Sequence, residues 1–370
     1  MSTQPIEPMP RPLLRAAVRN LPGYVPGRRA ATADVAALAS NESHFDPLPS
    51  VRAKVLDGAE RVHRYPDLSC LALRERIGTQ FGVDADEVVV GPGSVGVLQQ
   101  LLQAVLDPGD EVVYAWRSFE AYPILTAVAG GTAVPVPLLD NEHHDLAGML
   151  AAIGPRTRMV LLCSPNNPTG VAFTHRQLMT FLEAVPPHVI VVLDEAYIEF
   201  VTGPDRVDAF AAYQRYPNLV VLRTFSKAYG LAGLRVGYAI GHPELAEGAR
   251  RTSLPFVVSA LAQEAAIASL DAGDEVATRV AETVQERMRL ATRLRAAGWV
   301  IPDSQANFVW LRVSDGESHH IVETLAASGI LVRAYPGDGI RITVADAATT
   351  DRLVAALPAP GFQPSATTAA

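Results

Sequence analysis

The chain has 370 residues, more than one hydrophobic core usually serves, so two domains are expected. Hydrophobic residues make up 49% and charged residues 19%, an ordinary globular balance, and the net charge of -8 works against nonspecific binding to nucleic acid or to an anionic membrane, both of which reward basic surfaces. No apolar run is long enough to span a membrane and no basic start leads into an apolar stretch, so a cytoplasmic protein is expected. Cys70 and Cys163 are the two cysteines; they read as small buried hydrophobes in a reducing compartment, and no Cys/His spacing suggests a metal.

The first dozen residues are proline-rich and aperiodic, and read as a loose end. A short helix over 13–20 stops at Pro22 and Gly23. Beyond it, short β-branched apolar runs alternate with helical patterns, and strands are expected at 87–90, 111–114, 132–136, 159–162, 189–193, 219–223 and 235–240. Such alternation implies an α/β architecture, a mostly parallel seven-stranded sheet sandwiched by helices. A long helical pattern over 248–297, interrupted near Pro255, leads to a smaller α+β unit with strands at 308–313, 330–333 and 340–344. The expected division is an N-terminal arm and small-domain segment over 1–46, a large domain over 47–249, an interdomain helix with a small C-terminal domain over 250–357, and a disordered tail over 358–370. The pairs His143-His144 and His319-His320 lie in polar, acid-flanked stretches and are expected to be exposed.

Chemistry concentrates at the ends of these strands. The segment RTFSKAYGLAGLR over 223–235 offers an amine from Lys227, hydroxyls from Thr224 and Ser226, and a guanidinium from Arg235. A lysine condenses with an aldehyde, while hydroxyls and an arginine hold a phosphate. An aldehyde that also carries a phosphate is pyridoxal 5'-phosphate, whose protein partners are a Schiff-base lysine and a charged group at the pyridine nitrogen. Asp194 supplies that charge: it closes the apolar run of 189–193, where a doubly buried strand would deliver its carboxylate to the carboxyl edge of the sheet. Tyr197, three residues on, is placed to donate to the ring oxygen, and Asn167, in the rigid turn SPNNPTG over 164–170, is placed to present its amide there. Taken singly, each feature has a plainer reading as a solvated lysine, a strand-end cap or a common turn; their order and strand-end placement argue for one cofactor.

The run GPGSVG over 91–96 satisfies a dinucleotide-binding glycine pattern. Its acidic residues about twenty positions on, Asp110 and Glu111, precede the next strand and cannot meet a ribose at the strand's far end. The same physics serves a smaller ligand, with the backbone N–H groups of Ser94 and Val95 at a helix start binding the cofactor phosphate together with Thr224, Ser226 and Arg235.

The strings SPNNPTG, LDEAYIEF and RTFSKAYGLAGLRVGY, in this order, resemble the fold type I pyridoxal-phosphate aminotransferases of the histidinol-phosphate aminotransferase branch. The similarity continues through LASNES, RYPD, VVVGPGSVGVLQQ, ANFVWLR and GIRITV, and YAWRSFEAYP with the GSVGV turn is most similar to the actinobacterial aromatic aminotransferases. The resemblance implies a stacking aromatic over the pyridine ring at Phe119, for which Trp116 and Tyr122 compete. It implies that Tyr65 reaches the cofactor phosphate across the boundary of a homodimer with shared active sites, that Arg341 clamps a substrate carboxylate, and that Arg333 meets a second anion or is merely solvated. It also places Tyr24 over the substrate, with simple packing as the other reading, and Asn41 along the pocket from the small-domain side. The implied reaction moves an amino group from an aromatic amino acid to 2-oxoglutarate; histidinol phosphate is the alternative donor, and a pyridoxal-phosphate decarboxylase could retain the same cofactor residues.

Overall fold

The computed structural model describes residues 13–19, 21, 23, 27–28, 32 and 34–361. Tyr24 lies outside the described residues, as does the stretch 362–370 of the expected tail. In chain order the helices are α1 (Ala16–Arg19), α2 (Pro49–Ala59), α3 (Leu71–Phe81), α4 (Gly93–Val105), α5 (Ala121–Ala129), α6 (Leu146–Ala151), α7 (His175–Ala184), α8 (Ala209–Arg215), α9 (Pro243–Arg251), α10 (Ala260–Asp271), α11 (Gly273–Ala296), α12 (Asp315–Ala327) and α13 (Ala347–Ala356). The strands are β1 (Ala36–Leu38), β2 (Val88–Gly91), β3 (Glu111–Trp116), β4 (Thr132–Pro137), β5 (Thr157–Cys163), β6 (Ile190–Asp194), β7 (Leu219–Thr224), β8 (Gly237–Ile240), β9 (Phe308–Leu311), β10 (Ile330–Tyr335) and β11 (Gly339–Thr343).

Seven of these strands form the expected sheet in the order β2-β8-β7-β6-β5-β3-β4, and β8 alone runs against its neighbours. The strands are apolar on both sides because both sides are covered. In β6, Val191 and Leu193 enter one core cluster while Val192 enters the opposite one; in β2, Val88 and Val90 part from Val89 in the same way. Cys70 joins the first cluster and Cys163 the second, both unpaired and buried, as expected of small hydrophobes. The four-stranded sheet has the order β1-β10-β11-β9 and packs Leu290 and Leu294 of α11 against its own core.

Three expectations need correction. The strand expected at 235–240 begins at Gly237, because Arg235 sits in the left-handed region with φ 53°, closing a short 3-10 turn, Ala232–Leu234. Helical periodicity over 248–297 breaks at the expected place near Pro255, between the end of α9 at Arg251 and the start of α10, where the Ser259 hydroxyl accepts the Ala262 N–H, but it also breaks at Ala272, after which α11 starts afresh. His144 is buried, and desolvation lowers its pKa to about 4. The short β1, which no periodicity announced, pairs in parallel with β10 and delivers the following residues, Ala39 to Glu42, to the interior.

The start of α4 is seated directly on β8. A Cβ at Gly237 would overlap the backbone of Gly93 and Ser94, 2.6 Å from the Gly93 carbonyl carbon, so only glycine lets the two approach. Gly233, by contrast, has open space around it. Gly237→Ala is therefore expected to lower the melting temperature and to loosen anion binding at the α4 N-terminus, whereas Gly233→Ala leaves both near wild type; thermal denaturation with and without inorganic phosphate reads the difference.

Candidate active site

The central parallel strands β5, β6 and β7 end at one cavity of about 670 Å³, within the range of a small-molecule site. Asp194 is the last residue of β6, Cys163 of β5 and Thr224 of β7, and all three line it. The small sheet contributes the opposite wall through Arg333, Tyr335 and Arg341. Lining the same space are Asn41, Ser94, Val95, Phe119, Asn167, Tyr197, Ser226, Lys227 and Arg235, so the structure gathers the sequence-derived residues in one place, Tyr65 and the undescribed Tyr24 apart.

Lys227 follows β7 by three residues and donates from Nζ to the Ser40 carbonyl at 3.0 Å. Its pKa falls to about 7, first because burial disfavours the ammonium and then because Arg341 and Arg235 repel it, with Glu42 opposing. The chain has only two lysines, and the other, Lys54, is exposed on α2. That scarcity is itself a compositional signal pointing to Lys227.

The Asp194 carboxylate is buried and accepts from the Tyr122 hydroxyl at 2.8 Å and the Ala196 N–H at 3.2 Å. Burial pushes its pKa up to about 6, with those hydrogen bonds pulling the other way. The neighbouring Glu195 turns to the other side, where Arg223 holds it in a buried pair of 2.7 Å. Among the three aromatics that competed for a stacking role, Phe119 lines the cavity; Trp116 and Tyr122 do not, and Tyr122 instead orients Asp194 while the Phe119 ring meets it edge-on at 5.6 Å. Sequence reasoning missed this Tyr122 role because nothing in a string reveals that the Tyr122 side chain on α5 reaches the end of β6.

Tyr197 stands edge-on to Phe308, and its hydroxyl accepts from Asn41 Nδ2 at 2.9 Å, which leaves its own proton to donate. Asn41 is locked in turn by Thr343 and Asn307. Arg341 donates to Asn167 Oδ1 at 2.6 Å, the Tyr335 hydroxyl at 2.8 Å and the Ala39 carbonyl at 2.7 Å, and its buried Nε has no hydrogen-bond partner. Arg333 donates to Glu120 Oε2 at 2.8 Å, so it is not the solvated arginine that its sequence context alone allowed.

At the other end of the cavity α4 opens with Gly93, Ser94 and Val95, whose N–H groups have no intrahelical acceptor. Arg235 reaches the Ser226 hydroxyl at 3.4 Å, and Thr224 donates to Ser226 at 3.0 Å. Gly93, at φ 77°, clears room for the Arg235 guanidinium, which a Cβ there would strike. Helix N-terminus, two hydroxyls and an arginine make an anion cradle. Asp110 and Glu111 are spent at the opposite edge of the sheet on Arg158 and Arg156, as the dinucleotide reading would not allow. Tyr65 is 83% exposed, stacks on Phe256 at 4.6 Å and does not line this cavity.

A mostly parallel sheet with an amine, a buried carboxylate and an anion cradle around one cavity defines a cofactor enzyme of the α/β class. Residues 33–357 match the family model for class I and II aminotransferases, and the chain belongs to that family. It is 49% identical over 342 residues to an aromatic amino acid aminotransferase from Streptomyces avermitilis, covering 92% of this chain and 95% of the relative, and 50% identical over 335 residues to one from Thermobifida fusca, covering 90% and 93%. Among solved structures it is similar to the histidinol-phosphate aminotransferase from Sinorhizobium meliloti in complex with pyridoxal-5'-phosphate, with a TM-score of 0.85, 31% identity, and 93% and 96% of the two chains covered. The chain is thus a pyridoxal-phosphate-dependent aminotransferase. Its residues fit that cofactor: no cation appears among the causes of the Asp194 shift, the anion cradle matches a phosphate, and Lys227 lines the same cavity.

The Lys227 shift has a sign that can be measured in the cofactor-free protein. The unfolded lysine has a pKa of 10.5 and the folded one about 7, so between these values the unfolded chain binds more protons and stability rises with pH. Below about 7 both states carry the proton and the burial cost is fully present. The melting temperature of wild type relative to Lys227→Met is expected to climb from pH 7 to pH 10; a flat difference would contradict the shift.

Proposed function

We propose that this aminotransferase moves the amino group of an aromatic amino acid, phenylalanine, tyrosine or tryptophan, to 2-oxoglutarate, giving an aromatic 2-oxo acid and glutamate. The observation that carries the reading is the cavity's composition: Phe119, Ile124, Leu125 and Tyr335 give apolar walls beside the Arg341 guanidinium, which suits a flat ring on a carboxylate-bearing donor. The names of the relatives at 49% and 50% identity support it. Histidinol phosphate is the second reading, favoured by the likeness to the Sinorhizobium meliloti enzyme and by a second arginine, Arg333, beside Arg341.

The cofactor, when bound, supplies an electron sink for the carbanion that forms when the donor loses its α-proton. Asp194 would hold a proton on the pyridine nitrogen, Tyr197 and Asn167 would hydrogen-bond the ring oxygen, and Phe119 would stack on the ring; all four line the cavity. The N–H groups of Ser94 and Val95 with Thr224, Ser226 and Arg235 bind the phosphate. Arg341 would clamp the α-carboxylate, and Asn41 holds Tyr197 in place. Lys227 Nζ, neutral above about pH 7, takes the proton from the donor's α-carbon, a task that its lowered pKa suits. The chain divides into an arm over 1–46, a large cofactor domain over 47–249, an interdomain helix and small domain over 250–357 and a tail, and the enzyme is cytoplasmic. No described helix is long and apolar enough to cross a membrane.

A donor panel with 2-oxoglutarate tests the reading. kcat/KM for phenylalanine or tyrosine is expected to exceed that for histidinol phosphate and aspartate; an advantage for histidinol phosphate above tenfold, about 1.4 kcal/mol at the transition state, would overturn it.

The working unit is a homodimer with shared sites, in which Tyr65 serves the phosphate of the neighbouring subunit. Its exposure, and its absence from the cavity of its own chain, support this. Mixed dimers of Tyr65→Ala and Lys227→Ala subunits should regain activity, since one of their two sites receives both intact residues. Mixtures that exchange subunits and stay inactive would show that Tyr65 acts elsewhere.

A further inference from the structure

We infer that Glu120 is a specificity residue that tunes the substrate-anion corner to a singly charged group and disfavours a phosphomonoester. The inference rests on the aminotransferase reading of this cavity and deepens it.

Arg333 and Arg341 are direct partners across the antiparallel pair β10 and β11, so their Cβ atoms stand about 5 Å apart on the same face, and both lie against the Tyr335 ring, at 5.4 and 5.6 Å. Like charges so placed repel, and two of them side by side form a corner that a dianion would prefer. Glu120 changes that balance. It is the N-cap residue of α5, where the helix dipole favours a carboxylate, it lines the cavity, and it takes the Arg333 guanidinium at 2.8 Å in a pair that is 10% and 26% exposed. Arg341, in contrast, donates to three neutral acceptors and keeps its charge for a ligand. These two guanidiniums and one carboxylate together leave one positive charge, and Arg117, which also lies against the Tyr335 ring at 5.6 Å, is paired with Asp338.

An α-carboxylate matches that charge. A phosphomonoester carries about -1.5 to -2 at pH 7 on a single group and would press its second charge against Glu120. 2-Oxoglutarate is also a dianion, but its charges sit on two separate carboxylates, so only one needs this corner. Glu120 thus separates the two donors at the point where they differ, the carboxylate of phenylalanine and the phosphate of histidinol phosphate, while the rings of both meet the same apolar walls.

The test compares holoenzymes of wild type, Glu120→Gln, Glu120→Ser and Glu120→Asp. It reads the ratio of kcat/KM for histidinol phosphate over phenylalanine, and the inhibition constant of inorganic phosphate. The ratio is expected to rise tenfold or more in Glu120→Gln and Glu120→Ser, with tighter inhibition by phosphate, and to stay within threefold of wild type in Glu120→Asp, which keeps the charge. A ratio that does not move in the two neutral variants, or that moves equally in Glu120→Asp, overturns the inference and leaves the pair a structural link. Wild-type donor preference is read separately, so failure of the aromatic assignment and failure of the Glu120 role are distinguishable.

Discussion

The cost of burying the Lys227 ammonium is the constraint on which the rest of the site depends. A lysine in water holds its proton until far above neutrality, and here burial, reinforced by Arg341 and Arg235, brings that limit to about 7. The fold imposes the cost by placing the amine between two sheets, where the Ser40 carbonyl delivered by β1 is its hydrogen-bond acceptor. Its gain is chemical: an amine that is neutral near physiological pH can act as a nucleophile and as a base.

The same burial has the opposite effect on Asp194, whose carboxylate is destabilised until a cation arrives. Tyr122 and the Ala196 N–H stabilise it only in part, and its pKa of about 6 leaves it poised to pair with a protonated ring nitrogen. One low-dielectric space therefore lowers a base and raises an acid, the pairing expected where acid–base chemistry is done near neutrality. The walls come from different sheets. Asp194, Cys163 and Thr224 end strands that are buried on both faces, while Arg333 and Arg341 come from a four-stranded sheet with a core of its own, joined to the first by contacts such as Arg341 with Asn167 and Arg333 with Glu120.

Most of the large sheet was legible because its strands are short, apolar and β-branched, and because three central ones run straight into a polar residue: Asp194 after Leu193, Ser164 after Cys163 and Thr224 closing β7. The helix start at Gly93 was legible for a related reason, since a glycine turn between strand and helix has few uses. What stayed hidden depended on tertiary neighbours. β1 has three residues, too few for any period, and exists because β10 offers an edge. His144 looked solvated among Asn and Asp, yet the chain folds it inward against Phe173. Tyr122 read as a stacking candidate and Arg333 as a solvated or anion-binding side chain; both turned out to be engaged by carboxylates, of Asp194 and Glu120, that lie 72 and 213 residues away. Partners across such separations follow from packing, which no local pattern records.

We propose that Lys227, and not Lys54, carries the cofactor. Borohydride reduction of the enzyme loaded with pyridoxal 5'-phosphate, followed by proteolysis and peptide mass spectrometry, tests it directly. The account predicts a phosphopyridoxyl group in stoichiometric amount on the peptide containing Lys227; labelling of Lys54, or no covalent label on a protein that binds the cofactor, would contradict it.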